Sequence, residues 1–278
     1  MAVTADQIRT AVLQANPALS RFDPLSRIVL FDEFRRGMQG WTEMIGNYEH
    51  ELENFIDPHS VTLAETRPPM LSSSSMWDTG TAGGWHGTYS MKIATRARRD
   101  YLAKAIKRIS WRQRGRLQCE AYFTYGVEAS ELKLGDTDFK AFGFGWDFQE
   151  DGRRWMPSLR YVNAEQGQLK QTWTLHVDGK LNPQMGEWET VGTQPLCYNE
   201  IATKQNWHYL RWVVDLRSAS YVELQCNDKV FDISGVQYDT FEPAPNLWCM
   251  LNAGFWVEAG ADKRAWLQVD SMLVSTDV

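Results

Sequence analysis

The chain is poor in the features that usually announce a chemistry. Its 278 residues include four cysteines and five histidines. Cys119, Cys197, Cys226 and Cys249 stand far apart with no CxxC pair, which excludes the usual zinc spacings. Three of the four fall in strand-like segments, where a free thiol acts as a small apolar group. No apolar stretch approaches the length that spans a bilayer, so no membrane partner is expected. The start, MAVTADQIRT, lacks the basic and apolar regions of a secretory signal. A cytoplasmic chain with reduced thiols is expected, secreted only if a signal has been removed. A serine triad, a P-loop and a dinucleotide fingerprint are also missing. The net charge of −6 argues against a nucleic-acid partner, which would need clustered Lys and Arg. One basic run departs from that balance: Arg96, Arg98, Arg99, Lys104, Lys107, Arg108, Arg112, Arg114 and Arg116. It reads as a solvated strand face and loop.

What the chain has in quantity is aromatic rings: thirteen Trp, twelve Phe and ten Tyr. Such a load belongs to β proteins or contact surfaces. Thr4 to Gln7 reads T-A-D-Q, a capping box, and Ile8, Ala11, Val12 and Ala15 follow at helix spacing until Pro17. From residue 28 the period changes to two. RLQCEAYFTY (116–125) sets Leu117, Cys119, Ala121 and Phe123 against Gln118, Glu120, Tyr122 and Thr124. WHYLRWVVDL (207–216) alternates likewise, and YVELQCNDKVFDI (221–233) reads as a hairpin turning at Asn227-Asp228-Lys229. CMLNAGFWV (249–257) and AWLQVDSMLV (265–274) supply the closing strands. Many strands and one helix predict an all-β antiparallel sandwich with a short N-terminal helix packed outside it. Residues 1–27 form the helical extension and 28–278 one domain, since no linker or repeat divides the rest.

The segment AFGFGWDF (141–148) places Phe142, Phe144, Trp146 and Phe148 on one side and Ala141, Gly143, Gly145 and Asp147 on the other. In a sandwich the rings fill the core. Gly143 and Gly145 then either floor a trough that a ligand enters or only let the sheet bend. Outward residues of the neighbouring strands would be Glu120, Tyr122, Arg160, His176, Tyr209 and Arg211. Phenol, guanidinium, imidazole and carboxylate groups together suit an oligo- or polysaccharide, which offers flat apolar faces and many hydroxyls. A second candidate surface is the loop MWDTGTAGGWHGTY (76–89), where Trp77 and Trp85 lie among glycines. Trp85 could instead cover the edge of the core.

Three segments carry a family resemblance. FDEFRRGMQGW (31–41) sets a phenylalanine and an acid before a G..GW pattern. GWHGTYSMKI (84–93) has the form sG.ySLkl. WHYLRWVVDLRSASYVELQCNDKVF (207–231) is followed by LQVDSMLV (267–274). In this order they resemble concanavalin A-like lectin/glucanase jelly rolls and related carbohydrate-binding sandwiches, without placing the chain in a characterised subfamily. The resemblance implies an antiparallel jelly-roll β-sandwich with a sugar on its concave face or loops. It also implies chain ends brought together around a structural calcium, with Asp32 or Glu33 and Asp270 as ligands; no other cofactor is expected.

The E-x-D-x-x-E strand of the family's retaining glycosidases is absent. Glu120 and Asp147, if they face each other on adjacent strands, are the best carboxylate pair for hydrolysis. A lyase would use His176 or Tyr122 as base, with Arg160 or Arg211 neutralising a uronate. Three functions stay open: a non-catalytic carbohydrate-binding jelly roll, a glycoside hydrolase or polysaccharide lyase on the same face, and a homo-oligomeric assembly module. The first is the leading expectation.

Overall fold

The capping box closes on both sides. Gln7 N–H donates to Thr4 Oγ1 at 3.3 Å, and Thr4 N–H donates to Gln7 Oε1 at 3.0 Å. The helix it starts, α1, covers Ala5–Ala15. Pro17 then turns the chain into a short 3₁₀ helix, Pro17–Arg21, capped by Asn16. The computed structural model describes residues 4–43, 68–73, 83–128, 137–177, 188–197, 205–238, 240–243 and 248–278. Trp77 of the aromatic loop lies outside them.

The remaining elements are strands: β1 (Arg27–Asp32), β2 (Met70–Ser73), β3 (Tyr89–Ala94), β4 (Leu102–Ile109), β5 (Arg116–Val127), β6 (Phe139–Glu150), β7 (Arg153–Trp155) and β8 (Ser158–Glu165). They continue as β9 (Gln168–His176), β10 (Trp188–Thr193), β11 (His208–Asp215), β12 (Ser220–Cys226), β13 (Lys229–Asp232), β14 (Thr240–Phe241), β15 (Cys249–Ala259) and β16 (Ala265–Thr276). Tight hairpins follow from residues that accept positive φ. Asp151-Gly152 (φ +49°, +72°) joins β6 to β7, and Gln166-Gly167 (+50°, +75°) joins β8 to β9. Asn227 (φ +53°) opens the β12–β13 turn.

The strands form two antiparallel layers, the sandwich that the alternation predicts. The first sheet has the order β13-β12-β11-β5-β16-β3-β2, with β1 also on β16. The second has β10-β9-β8-β6-β15-β4, with β7 and β14 beside β6. The rings of AFGFGWDF lie between the layers. Phe142 meets Phe123 of β5 at 4.9 Å, Phe144 meets Trp212 of β11 at 5.5 Å, and Trp146 stacks on Trp212 at 7°. All four rings are buried, and truncating any one to Ala costs about 3–5 kcal/mol.

The basic run corrects its expectation. Arg96, Arg98, Arg99, Arg112 and Arg116 are exposed, but the cations of β4 are not. Lys104 is 1% exposed. Lys107 pairs with buried Asp32 at 2.8 Å, and Arg108 Nε donates to Asn252 Oδ1 at 3.0 Å. β4 lies against β15 in the second sheet, so its charges are held in buried polar networks instead of water.

The N-terminal extension lies outside the sandwich, but it is held there mainly by residues after the helix, and Ala11 and Ala15 of the expected apolar helix face are exposed. Leu19 and Phe22 bury against Leu273 on the outer face of the first sheet, with Leu13, Ile28, Phe31 and Tyr122 beside them.

Candidate functional site

β5 and β6 are consecutive in the chain but belong to different sheets. Glu120 and Asp147 both alternate with core residues, so they point away from each other on opposite outer faces of the molecule. They cannot flank one glycosidic bond, and the expected catalytic pair is not formed. The other expected ligand residues divide the same way. Gly143, Gly145, Asp147, Arg160 and His176 lie on the second sheet. Glu120, Tyr122, Tyr209, Arg211 and Asp270 lie on the first.

On the second sheet the expected trough is filled. Trp256 of β15 pairs with Gly143, and its ring lies across the glycine. A Cβ added at Gly143 would sit 2.1 Å from Trp256 Cζ2. The ring is fully buried with Leu102, Met156 and half-buried Trp188, and Trp256 Nε1 donates to Glu258 Oε1 at 3.2 Å. Gly143 is therefore a seat for an indole. The charged groups around it are occupied as well. Arg154 grips Asp147 through two hydrogen bonds of 2.8 and 2.9 Å, and Asn252 Nδ2 adds a third at 3.2 Å. Arg160 pairs with Glu258 at 2.9 Å and covers the Trp188 ring. His176 packs edge-on against the same ring, and burial lowers its pKa.

The calcium ligands do not fit the ion. Asp32 accepts from Trp41 Nε1 at 2.8 Å and from Lys107 Nζ at 2.8 and 3.1 Å. Asp270 accepts from His86 N–H at 3.0 Å and Ser271 Oγ at 2.9 Å, and pairs with Arg21 at 3.3 Å. Each carboxylate already faces a protein cation. Among the described residues, no group of three or more His, Cys, Asp or Glu is placed to hold a metal.

The first sheet presents a different surface. Tyr122 of β5 and Tyr209 of β11 are cross-strand partners with ring centroids 5.3 Å apart. Trp85, half exposed, stands edge-on to Tyr122 at 4.9 Å and touches the His86 ring at 4.5 Å. Arg21 also stands over the Tyr122 ring, 5.4 Å from its centroid. Beside this cluster opens a pocket of about 420 Å³, lined by Asn16, Pro17, Ala18, Ser20, Arg21, Arg35 and His86. Its walls come from three distant segments: the 3₁₀ helix, the turn after β1, and the loop before β3. Arg35 Nη2 donates to the His86 carbonyl at 3.2 Å and its Nε lies 3.4 Å from Glu33, which ties two of those segments together.

Electrostatics at the pocket follow from these neighbours. Burial lowers the His86 pKa, and nearby Arg21 lowers it further against the pull of Asp270, so the imidazole is neutral at pH 7. Burial likewise raises Tyr122, and raises Tyr209 together with the adjacent Glu120 carboxylate, which keeps both phenols protonated. Arg211 is bound to Glu223 at 2.8 Å and lies 3.6 Å from Asp23, beside the pocket and not in it. Of the residues singled out from sequence, Trp85, Tyr122, Tyr209 and Asp270 come together here. Arg21, Arg35, Asn16 and Ser20 were not legible as site residues, because they converge only through packing of the extension on the sheet. A signal did exist for Trp256: a bulky ring at an outward position of CMLNAGFWV, in a sheet that carries glycine at an outward position of β6.

Among curated proteins no match is found. Solved structures similar to the chain include the cellulose induced protein Cip1, at 10% identity and a TM-score of 0.46 over 90% of this chain and 97% of that one. The CBM2 module of the evolved Dit of Lactobacillus casei BL23 phage J-1 gives 12% identity and 0.45 over 91% and 96%. The alginate lyase Aly36B, in complex with an alginate trisaccharide, gives 10% and 0.44 over 75% and 93%. Such scores add nothing to the topology already described. A family model does reach nearly the whole length, matching residues 9–278 with the 3₁₀ helix, the turn after β1 and the loop before β3 inside it. The chain belongs to the family described as a domain of unknown function, DUF6772.

Proposed function

We propose that the protein recognises a glycan carrying an acidic group, without cleaving it, in the pocket beside Trp85. The observation that carries this reading is one juxtaposition: a half-exposed indole braced on Tyr122, at a cavity of about 420 Å³ walled by two arginines and neutral polar groups. A pyranose ring stacks its apolar face on an indole, while a guanidinium takes a carboxylate or sulfate side-on. Arg35 uses two of its five donors within the protein, through Glu33 and the His86 carbonyl, so donors remain to meet a ligand. Asn16, Ser20 and neutral His86 suit sugar hydroxyls. The non-catalytic part of the proposal rests on the separation of Glu120 from Asp147 and on the ion pairing of Asp147 and Asp270.

Calorimetric titration tests it. A galacturonate tetrasaccharide is expected to bind more tightly than a neutral galactose tetrasaccharide, and Trp85→Ala is expected to weaken the acidic ligand about tenfold or more. No binding of either sugar at millimolar concentration, or a Trp85→Ala variant with wild-type affinity, would overturn the reading.

A further inference from the structure

Glu120 is fully buried, yet it points to the outer face of its sheet. Three donors converge on it. Asp23 N–H reaches Oε1 at 2.7 Å, Tyr209 Oη donates to the same oxygen at 2.6 Å, and Gln118 Nε2 donates to Oε2 at 2.9 Å. Gln118 Nε2 also donates to the Asp23 carbonyl at 2.8 Å, so both backbone polar groups of Asp23 are fixed from the sheet. Further ties run the same way: Tyr122 Oη to the Arg21 carbonyl at 2.9 Å, and Leu25 N–H to Ser275 Oγ at 3.0 Å. The buried apolar residues of 16–25 are Leu19, Phe22 and Pro24, and Leu19 and Phe22 pack against Leu273 with Ile28, Phe31 and Tyr122 beside them. Polar anchors add to this small apolar contact in seating the segment, and the segment supplies five of the seven residues lining the pocket.

We infer that the N-terminal segment is a dockable wall of the pocket, seated by Glu120 acting as a positioning residue, so that pocket occupancy and segment docking stabilise each other. The inference rests on the glycan reading of the pocket. Its physics is linkage: a ligand touching Asn16–Arg21 binds only the docked form, and so opposes undocking by the factor 1 + [L]/Kd. Glu120→Gln keeps the shape but removes the charge, and its amide opposes Gln118 Nε2. Gln118 must then flip and release the Asp23 carbonyl. Hydrogen bonds to an ionised acceptor are the strong ones, so undocking becomes about tenfold or more easier.

Hydrogen exchange on the full chain reads this at the Asp23 and Leu25 amides, the two that tie the segment to the sheet. In Glu120→Gln both are expected to exchange about tenfold faster than in the wild type. Tetragalacturonate at ten times its Kd is expected to slow both about tenfold in either protein, while Gly167 in the remote β8–β9 turn keeps its rate. Should Glu120→Gln fail to fold, Tyr209→Phe removes one donor and retains the ring; faster exchange at the same two amides is expected again. Binding of the sugar with unchanged exchange at Asp23 and Leu25 would overturn the coupling and leave the pocket reading intact. Unchanged exchange in both variants would remove Glu120 as the anchor. Absence of sugar binding would remove the pocket reading and the coupling together.

Discussion

Gly143→Ala adds one methyl group to a strand, a change that costs nothing on an open sheet face. Here the new Cβ meets Trp256 Cζ2 at 2.1 Å, Cε2 at 2.4 Å and Cζ3's neighbour Cη2 at 2.5 Å. Ordinary contact needs about 3.5–4 Å, so the indole or the strand must shift by roughly 1.4 Å or more. The ring has nowhere to go: it is fully buried, held through its N–H by Glu258 and packed by Leu102 and Met156. Overpacking in a tight core costs about 1–3 kcal/mol, and three contacts below 2.6 Å to a rigid ring place this change at the upper end, about 3 kcal/mol. Trp256→Ala alone costs about 3–5 kcal/mol through the cavity it leaves. In that cavity, however, Ala at 143 is tolerated, and relief of chain entropy makes it neutral or stabilising by up to about 1 kcal/mol. The double-mutant cycle in urea is therefore expected to show a favourable coupling of about 3 kcal/mol between the two positions. A Gly143→Ala cost within 0.5 kcal/mol of zero, or an equal cost in both backgrounds, would refute the seat and reopen the face to a ligand.

Two further outcomes follow from the same physics. Asp147→Asn breaks the buried ion pair with Arg154, and is expected to lower unfolding free energy by about 3–5 kcal/mol with sugar binding at the Trp85 pocket unchanged; chemical denaturation beside calorimetry checks both halves. His208 is buried and neutral, donating through Nε2 to the Cys197 carbonyl at 3.1 Å and accepting at Nδ1 from Asn227 at 3.1 Å. Burial lowers its pKa from 6.5, so the unfolded chain takes up a proton first as pH falls. His208 stability is thus complete above pH 6.5 and is lost as pH drops from there toward the lowered folded value. His208→Asn is expected to flatten the stability–pH slope just below pH 6.5; an unchanged slope would exclude this residue as its source.

How much of the molecule was legible beforehand depends on the range of the interaction. Side-chain alternation is a property of one strand, so the inward phase of Phe142, Phe144, Trp146 and Phe148 follows from AFGFGWDF alone. The Thr4–Gln7 capping box and the Asp151-Gly152 turn are equally local, decided by side-chain length and by tolerance of positive φ. Sheet membership is not local. Nothing in residues 116–150 says that β5 and β6 enter different layers, and that one fact separates Glu120 from Asp147. Occupancy of an outer face is not local either. Gly143 looks empty until β15 lays Trp256 across it, and Glu120 looks catalytic until Asp23 and Tyr209 close over it.

The sequence by itself thus determined the strands and which of their faces turn inward, because burying apolar rings at period two needs no knowledge of distant partners. The tertiary structure decided which polar groups meet: it brought Arg21, Arg35 and His86 from three separate segments to one cavity, through contacts between residues up to 250 positions apart that no local pattern encodes.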